Sequence, residues 1–164
     1  MWVKEENPIL DETKAEVLLD KSAFGNNAKV ELGKPIFGHW WHYERDGEII
    51  CYVWLREKAD IQRLYNQPGD ETPEIGIAVR PKYQKKAGYG YKAAKFGITQ
   101  AQKMGYPVIF GKIRRENPQI LEQIKLGFAF GCYGLNEEGH LLNLEETLQY
   151  AKQVALLTLK KDLS

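Results

Sequence analysis

The sequence predicts a mixed α/β fold in a single domain spanning residues 1–164, and three observations predict it. Asp46-Gly47 separates an aromatic run from a β-branched run, the pattern of a two-residue hairpin whose type I′ turn needs positive φ at both centres. From Glu74 to Lys125 the chain reads strand, helix, strand, helix, the order of a crossover unit. With 43% hydrophobic and 27% charged residues over 164 positions, the composition is that of an ordinary globular chain, and folds of this length bury roughly 70% of the surface their unfolded chains expose.

The polar opening predicts a helix from about Asp11 to Phe24, ended by Gly25-Asn26-Asn27. The hairpin follows, with Gly38 to Glu44 and Ile49 to Leu55 as its arms. A register centred on the turn puts Trp41 opposite Tyr52 and Tyr43 opposite Ile50 on one face, and Trp40, His42 and Glu44 against Val53, Cys51 and Ile49 on the other. Glu57 to Thr72 reads as a connection longer than the usual 4–6 residues. Glu74 to Val79 is a third strand, stopped by Pro81. A helix from about Gly88 to Met104 keeps Tyr91, Ala94, Ile98 and Ala101 on one face; Gly105 ends it and Pro107 prevents its resumption. Val108 to Ile113 reads as a strand, and Asn117-Pro118 opens a helix through Lys125. Last come a hairpin, Phe128 to Leu135 with His140 to Leu142, and a helix from Leu144. Asn143 with Glu146 forms a capping box there, and Leu144, Leu148, Ala151 and Ala155 mark the inner face.

Cys51 and Cys132 are too few for a disulfide framework and sit in no metal-binding spacing. His39 and His42 fall on opposite faces of a strand and cannot grip a metal together. The N-terminus lacks the order of a signal peptide, and no run reaches the roughly 20 apolar residues a membrane span needs; a cytoplasmic protein with no membrane association is expected. Net charge is +1, yet Ile75 to Arg115 holds ten cations and no acid. The rest of the chain is therefore net acidic, which argues against a nucleic-acid-binding module.

That basic segment contains Arg80-Pro81-Lys82-Tyr83-Gln84-Lys85-Lys86-Ala87-Gly88-Tyr89-Gly90, between a strand end and a helix start. Glycines there let successive N–H groups converge, the helix dipole adds about half a positive charge, and the lysines attract a polyanion. Such a turn suits a pyrophosphate, and equally a plain strand-to-helix connection. Together with the hairpin, the Glu74-x-Gly76-x-x-Val79 strand, the long helix, and Glu116-Asn117-Pro118 leading into Leu126-Gly127-Phe128, the stretch from Trp40 to Phe130 resembles the GNAT superfamily of acyl-coenzyme A-dependent N-acyltransferases.

The resemblance implies a central, mostly antiparallel sheet of six or seven strands, helices on both faces, and one parallel crossing at the cofactor cleft. It implies acetyl-CoA as cosubstrate and an amine acceptor. Backbone amides of Lys85, Lys86, Ala87, Gly88, Tyr89 and Gly90 would take the pyrophosphate; Ile77, Ala78 and Val79 would pair with the pantetheine arm, which Asn117 would also touch. Lys85 stands where the family has glutamine or arginine, with Gln84 one position earlier. The tyrosine often used as proton donor is replaced by Gln123 or Ile124.

Acyl transfer needs a neutral amine, a polarised carbonyl and a proton for the thiolate. Glu74 is the candidate base, or else a surface carboxylate at a strand start. The N–H near Val79 is the candidate for polarising the carbonyl. Tyr133 and Tyr91 are candidate proton donors or packing residues, and His42 is a candidate base, pocket residue or satisfied sheet histidine. The alternative to an enzyme is a degenerate relative that binds acyl-CoA or a protein partner. A homodimer through the C-terminal helix or the sheet edge is compatible with the sequence.

Overall fold

Asp46 and Gly47 adopt φ of 52° and 77°, the left-handed pair the type I′ turn requires, and they join β2 (His39–Arg45) to β3 (Glu48–Arg56). The computed structural model describes residues 1–18, 31–65, 71–84 and 88–164. Before the hairpin lie β1 (Trp2–Glu5) and α1 (Glu12–Leu18). After it come α2 (Lys58–Tyr65), β4 (Glu74–Val79), a 3-10 turn at Pro81–Tyr83, α3 (Tyr89–Lys103), β5 (Val108–Arg114) and α4 (Ile120–Ala129). The chain closes with β6 (Tyr133–Leu135), β7 (Leu141–Leu142), α5 (Leu144–Tyr150) and β8 (Leu156–Asp162).

The strands form one sheet in the order β1-β2-β3-β4-β5-β8-β6-β7. Every ladder is antiparallel except β4 with β5, so the predicted class holds. The sheet has eight strands rather than six or seven. One unread strand is β1. The other is β8, which inserts between β5 and β6 and buries Leu157 and Leu159 by simple alternation. The predicted last helix stops at Tyr150; its capping box at Asn143 and Glu146 is present, but Leu144 faces solvent at 38% exposure. Part of the predicted Asp11–Phe24 helix lies outside the described residues, as does part of the Glu57–Thr72 connection, whose described portion is largely α2.

The hairpin register is also corrected. Arg45 pairs with Glu48 and Glu44 with Ile49, but Tyr43 then pairs with Cys51, because a bulge leaves Ile50 as an extra residue. Beyond it Trp41 opposes Val53 and Trp40 opposes Trp54, one place away from the turn-centred register. A one-residue slip exchanges partners and faces. Trp41, Cys51, Val53 and Leu55 therefore pack with Ala93, Ile98 and Ala101 of α3, whereas Trp40, Tyr52, Trp54 and Ala78 pack with Val17 and Leu18 of α1.

Helices thus cover both faces. α4 joins α3 on one face, where Ile124 meets Ile113, Leu157 and Leu159; α1 lies on the other. Among the described residues, no helix is long and apolar enough to cross a membrane.

Candidate active site

β4 is paired with β3 along its whole length, from Arg56–Glu74 to Cys51–Val79. Toward β5 it makes only two pairs, Glu74–Phe110 and Ile75–Gly111. β5 continues instead on its far side, where Val108 to Arg114 all pair with β8. Gly76 to Val79 and Lys112 to Arg114 consequently border a wedge in the sheet, with no ladder bonds between them among the described residues. Main-chain polar groups at such a parting need partners, and an extended ligand carrying amides can supply them.

At the open end of the wedge Arg80 and Pro81 turn the chain through the 3-10 turn. Gly88 caps α3 at φ 66° with no side-chain cap, and no acid lies in the first turn. Among the described residues, a Cβ built on Gly88 or Gly90 would meet nothing within 4 Å at the mouth of this 15-residue helix. Uncapped N–H groups and the positive end of the dipole suit an anion there. Lys85, Lys86 and Ala87 lie outside the described residues.

Two neighbouring cations are engaged by acids from elsewhere in the chain, a point the acid-free segment does not reveal. Arg80 reaches Glu16 at 3.2 Å and donates to the Ile49 carbonyl at 2.9 Å. Lys82 pairs with Glu48 at 2.7 Å, and the Tyr83 hydroxyl also donates to Glu48. The Lys82 hydrogen bond, then that from Tyr83, holds the Glu48 carboxyl below its ordinary range. These contacts brace the turn against β3 and α1.

On the other bank, buried Asn117 lies just past β5. Its Oδ1 accepts from the Gln119 N–H at 2.9 Å and its Nδ2 donates to Gln123 at 3.3 Å. Gln119 Nε2 donates to Gln84 Oε1 at 2.9 Å, and Gln84 Nε2 donates to the Val79 carbonyl at 3.1 Å. A chain of side-chain amides therefore crosses the mouth of the wedge.

The parted parallel strands and the glycine-led helix occupy the middle of a region, residues 5–128, that matches the model of the acetyltransferase (GNAT) family. The chain belongs to that family. Solved structures agree in fold. An acetyltransferase of Bacillus subtilis in complex with CoA is 17% identical, with a TM-score of 0.61, 99% of this chain and 98% of that chain being covered. YncA of Salmonella typhimurium, solved with its cofactor acetyl-CoA, is 18% identical with a TM-score of 0.54; the match covers 79% of this chain and 66% of that one, just under two thirds of its length. The ribosomal-protein-S18-alanine N-acetyltransferase of Escherichia coli is 14% identical with a TM-score of 0.53, covering 100% and 95%. No curated protein matches in sequence.

Within this GNAT fold the candidate residues separate. Glu74 sits at the last closed part of the wedge. Ile75 packs against Gly97 of α3 and Gly76 lies under Trp54, so by alternation Glu74, Gly76 and Ala78 face α1. Arg56 stands opposite Glu74 in the ladder. Tyr133 is on the same line across the sheet, through Lys160 and Phe110 to Glu74, three strand spacings or about 14 Å away. Its hydroxyl donates to Asp162 at 2.8 Å, and desolvation, then that bond, pushes its pKa up to about 12. His42 aligns through Tyr52 with Ala78, two strand spacings or roughly 10 Å from β4. Both its ring nitrogens are 2.8 Å from carboxylates, Nδ1 from Glu5 and Nε2 from Glu44.

Tyr91 is 52% exposed and its ring lies tilted against that of Phe130, centroids 4.8 Å apart. Ile124 is fully buried and Gln123 is bound to Asn117, so neither position substitutes for the family tyrosine. Cys51 is buried with its thiol pushed up to about 12, which removes it as a nucleophile near neutral pH. Gln119 carries no sequence signal, and neither does the cover that the Trp54 indole gives to Gly76.

The left-handed φ of Gly88 gives a direct test of the helix mouth. Gly88→Ala meets no steric obstacle among the described residues but takes a left-handed backbone penalty of about 1–2 kcal/mol. The expected result is a lower melting temperature together with weaker CoA binding. Gly90→Ala, inside the helix, should hold or raise the melting temperature, gaining up to about 1 kcal/mol. Thermal melts and calorimetry on both variants separate the two effects.

Proposed function

We propose that the chain is an N-acetyltransferase that moves the acetyl group of acetyl-CoA to a primary amine of a small molecule or protein by direct attack, with residues 1–164 acting as one cytoplasmic domain. The single observation that carries this reading is the wedge between β4 and β5, opening toward the uncapped N-terminus of α3. The residues present fit the cosubstrate: donors from Gly88, Tyr89 and Gly90, with Lys85, Lys86 and Ala87 by position, for the pyrophosphate; the edge at Ile77, Ala78 and Val79, which has no ladder pairs with β5, for the pantetheine amides; Asn117 on the opposite bank.

Bound acetyl-CoA supplies an activated acyl carbon. Glu74 takes a proton from the acceptor ammonium or from the attacking amine, directly or through water. The N–H near Val79 polarises the carbonyl. As the C–N bond forms and the C–S bond breaks, the thiolate gains a proton. With the Tyr133 hydroxyl given to Asp162 and both His42 nitrogens held by carboxylates, water is the donor this reading assigns. α3 lies on one face of the sheet and Glu74 looks to the other, so the acceptor approaches from the α1 side.

Calorimetry with CoA and a thiol-release assay with acetyl-CoA and a panel of amines test this. Micromolar binding with amine-dependent thiol release is expected; no measurable CoA binding would falsify it. The replacement of the family tyrosine by Gln123 or Ile124 favours a second reading, a relative that binds acyl-CoA without turnover. Binding with no thiol release for any amine would select that one.

A further inference from the structure

The chain of amides across the wedge mouth occupies a group that the cosubstrate arm would use. We infer that Gln84 is a self-occupying gate of the acyl-CoA cleft: its side-chain amide holds the Val79 carbonyl, braced by Gln119, until pantetheine displaces it. This rests on the acyl-CoA reading above. Pantetheine is a flexible arm with two amides, and its N–H groups seek strand carbonyls where a ladder is missing. Gln84 Nε2 to Val79 O at 3.1 Å is that same pairing, an amide donor on a strand carbonyl, made by the protein itself.

The brace is specific. Gln84 Oε1 is not left to solvent but accepts from Gln119 Nε2 at 2.9 Å, and the Gln119 main chain is fixed by Asn117 Oδ1 at 2.9 Å. Asn117 is itself buried and bound to Gln123 at 3.3 Å. The links thus run from the end of β4 to the first turn of α4, joining the two banks where β4 and β5 share no ladder. Gln84 and Gln119 are both exposed, so water can replace each link. A neutral hydrogen bond between exposed groups has a small net worth, and the gate biases entry rather than blocking it.

The test uses the full chain as wild type, Gln84→Ala, Gln84→Met, Gln119→Ala and the Gln84→Ala/Gln119→Ala double variant. CoA affinity is measured by calorimetry, association by stopped flow, and the Gln84 side-chain amide by 15N NMR without ligand. Both Gln84 variants are expected to bind CoA about threefold to tenfold more tightly, mainly through faster association. Gln119→Ala should give a smaller gain, and the double variant no more than Gln84→Ala, because one residue acts through the other. In the free protein Gln119→Ala should move the Gln84 amide resonances, and CoA should move them in the wild type.

Equal or weaker CoA binding by both Gln84 variants, with wild-type melting temperatures, overturns the gate and makes Gln84 part of the grip. If neither wild type nor variants bind CoA, the acyl-CoA reading falls, and the gate falls with it even where the amide resonances respond to Gln119→Ala.

Discussion

Glu74→Gln is expected to lower kcat by about 10²- to 10⁴-fold, the usual contribution of a positioned general base, while leaving CoA affinity close to wild type. The substitution keeps the size and shape of the side chain and removes its basicity. Glu74 is the first residue of β4 and belongs to one of only two ladder pairs that join β4 to β5. The helix mouth proposed for the pyrophosphate, at α3, lies on the opposite face, which is why binding and chemistry should separate. Thiol release at saturating acetyl-CoA, with calorimetry beside it, reads both. Retained kcat would remove Glu74 from the chemistry and leave water as the base.

Gly76→Ala is expected to damage both stability and activity. A Cβ at this position would fall inside the Trp54 indole. That ring cannot easily yield: it stacks on Trp40 at 4.6 Å with planes 16° apart, and the Arg56 guanidinium lies 5.6 Å from its centre. Overpacking of a core costs about 1–3 kcal/mol, sometimes more, and a chain of this length loses about 2–4 °C in Tm per kcal/mol. A drop of roughly 6–12 °C follows for a cost near 3 kcal/mol. Because Gly76 is the residue where β4 leaves β5, backbone relief of the clash would also reshape the wedge and lower kcat/KM. A variant with unchanged melting temperature would show that the indole does not press on the strand.

Local chemistry made part of this legible. Asp46-Gly47 has one good use, and the turn formed as expected. The register beyond it was not legible, because the bulge at Ile50 answers to the packing of Trp40 on Trp54 rather than to the turn. Leu144, Leu148, Ala151 and Ala155 keep helical spacing beyond the helix end at Tyr150, although Leu157 and Leu159 alternate like a strand. The glycine turn was readable, since Gly88 does a job few other residues do at φ 66°. Partners brought from far along the chain were not: Glu16 and Glu48 reach the basic segment through α1 and β3. Sequence order likewise could not tell that β8 stands between Tyr133 and β5, which decides how far that hydroxyl lies from Glu74.

The place of β8 in the sheet bears on how the molecule comes into being. During synthesis β8 leaves the ribosome after every other element named here, yet it supplies all seven of the outer pairs of β5, against two from β4. Until Leu156 to Asp162 emerge, the nascent protein already contains both lips of the cleft, and one of them has little to lean on. A folding intermediate without that strand should hold the hairpin and α3 together while β5 swings from its short hinge, so competence to take up a ligand arrives late and all at once.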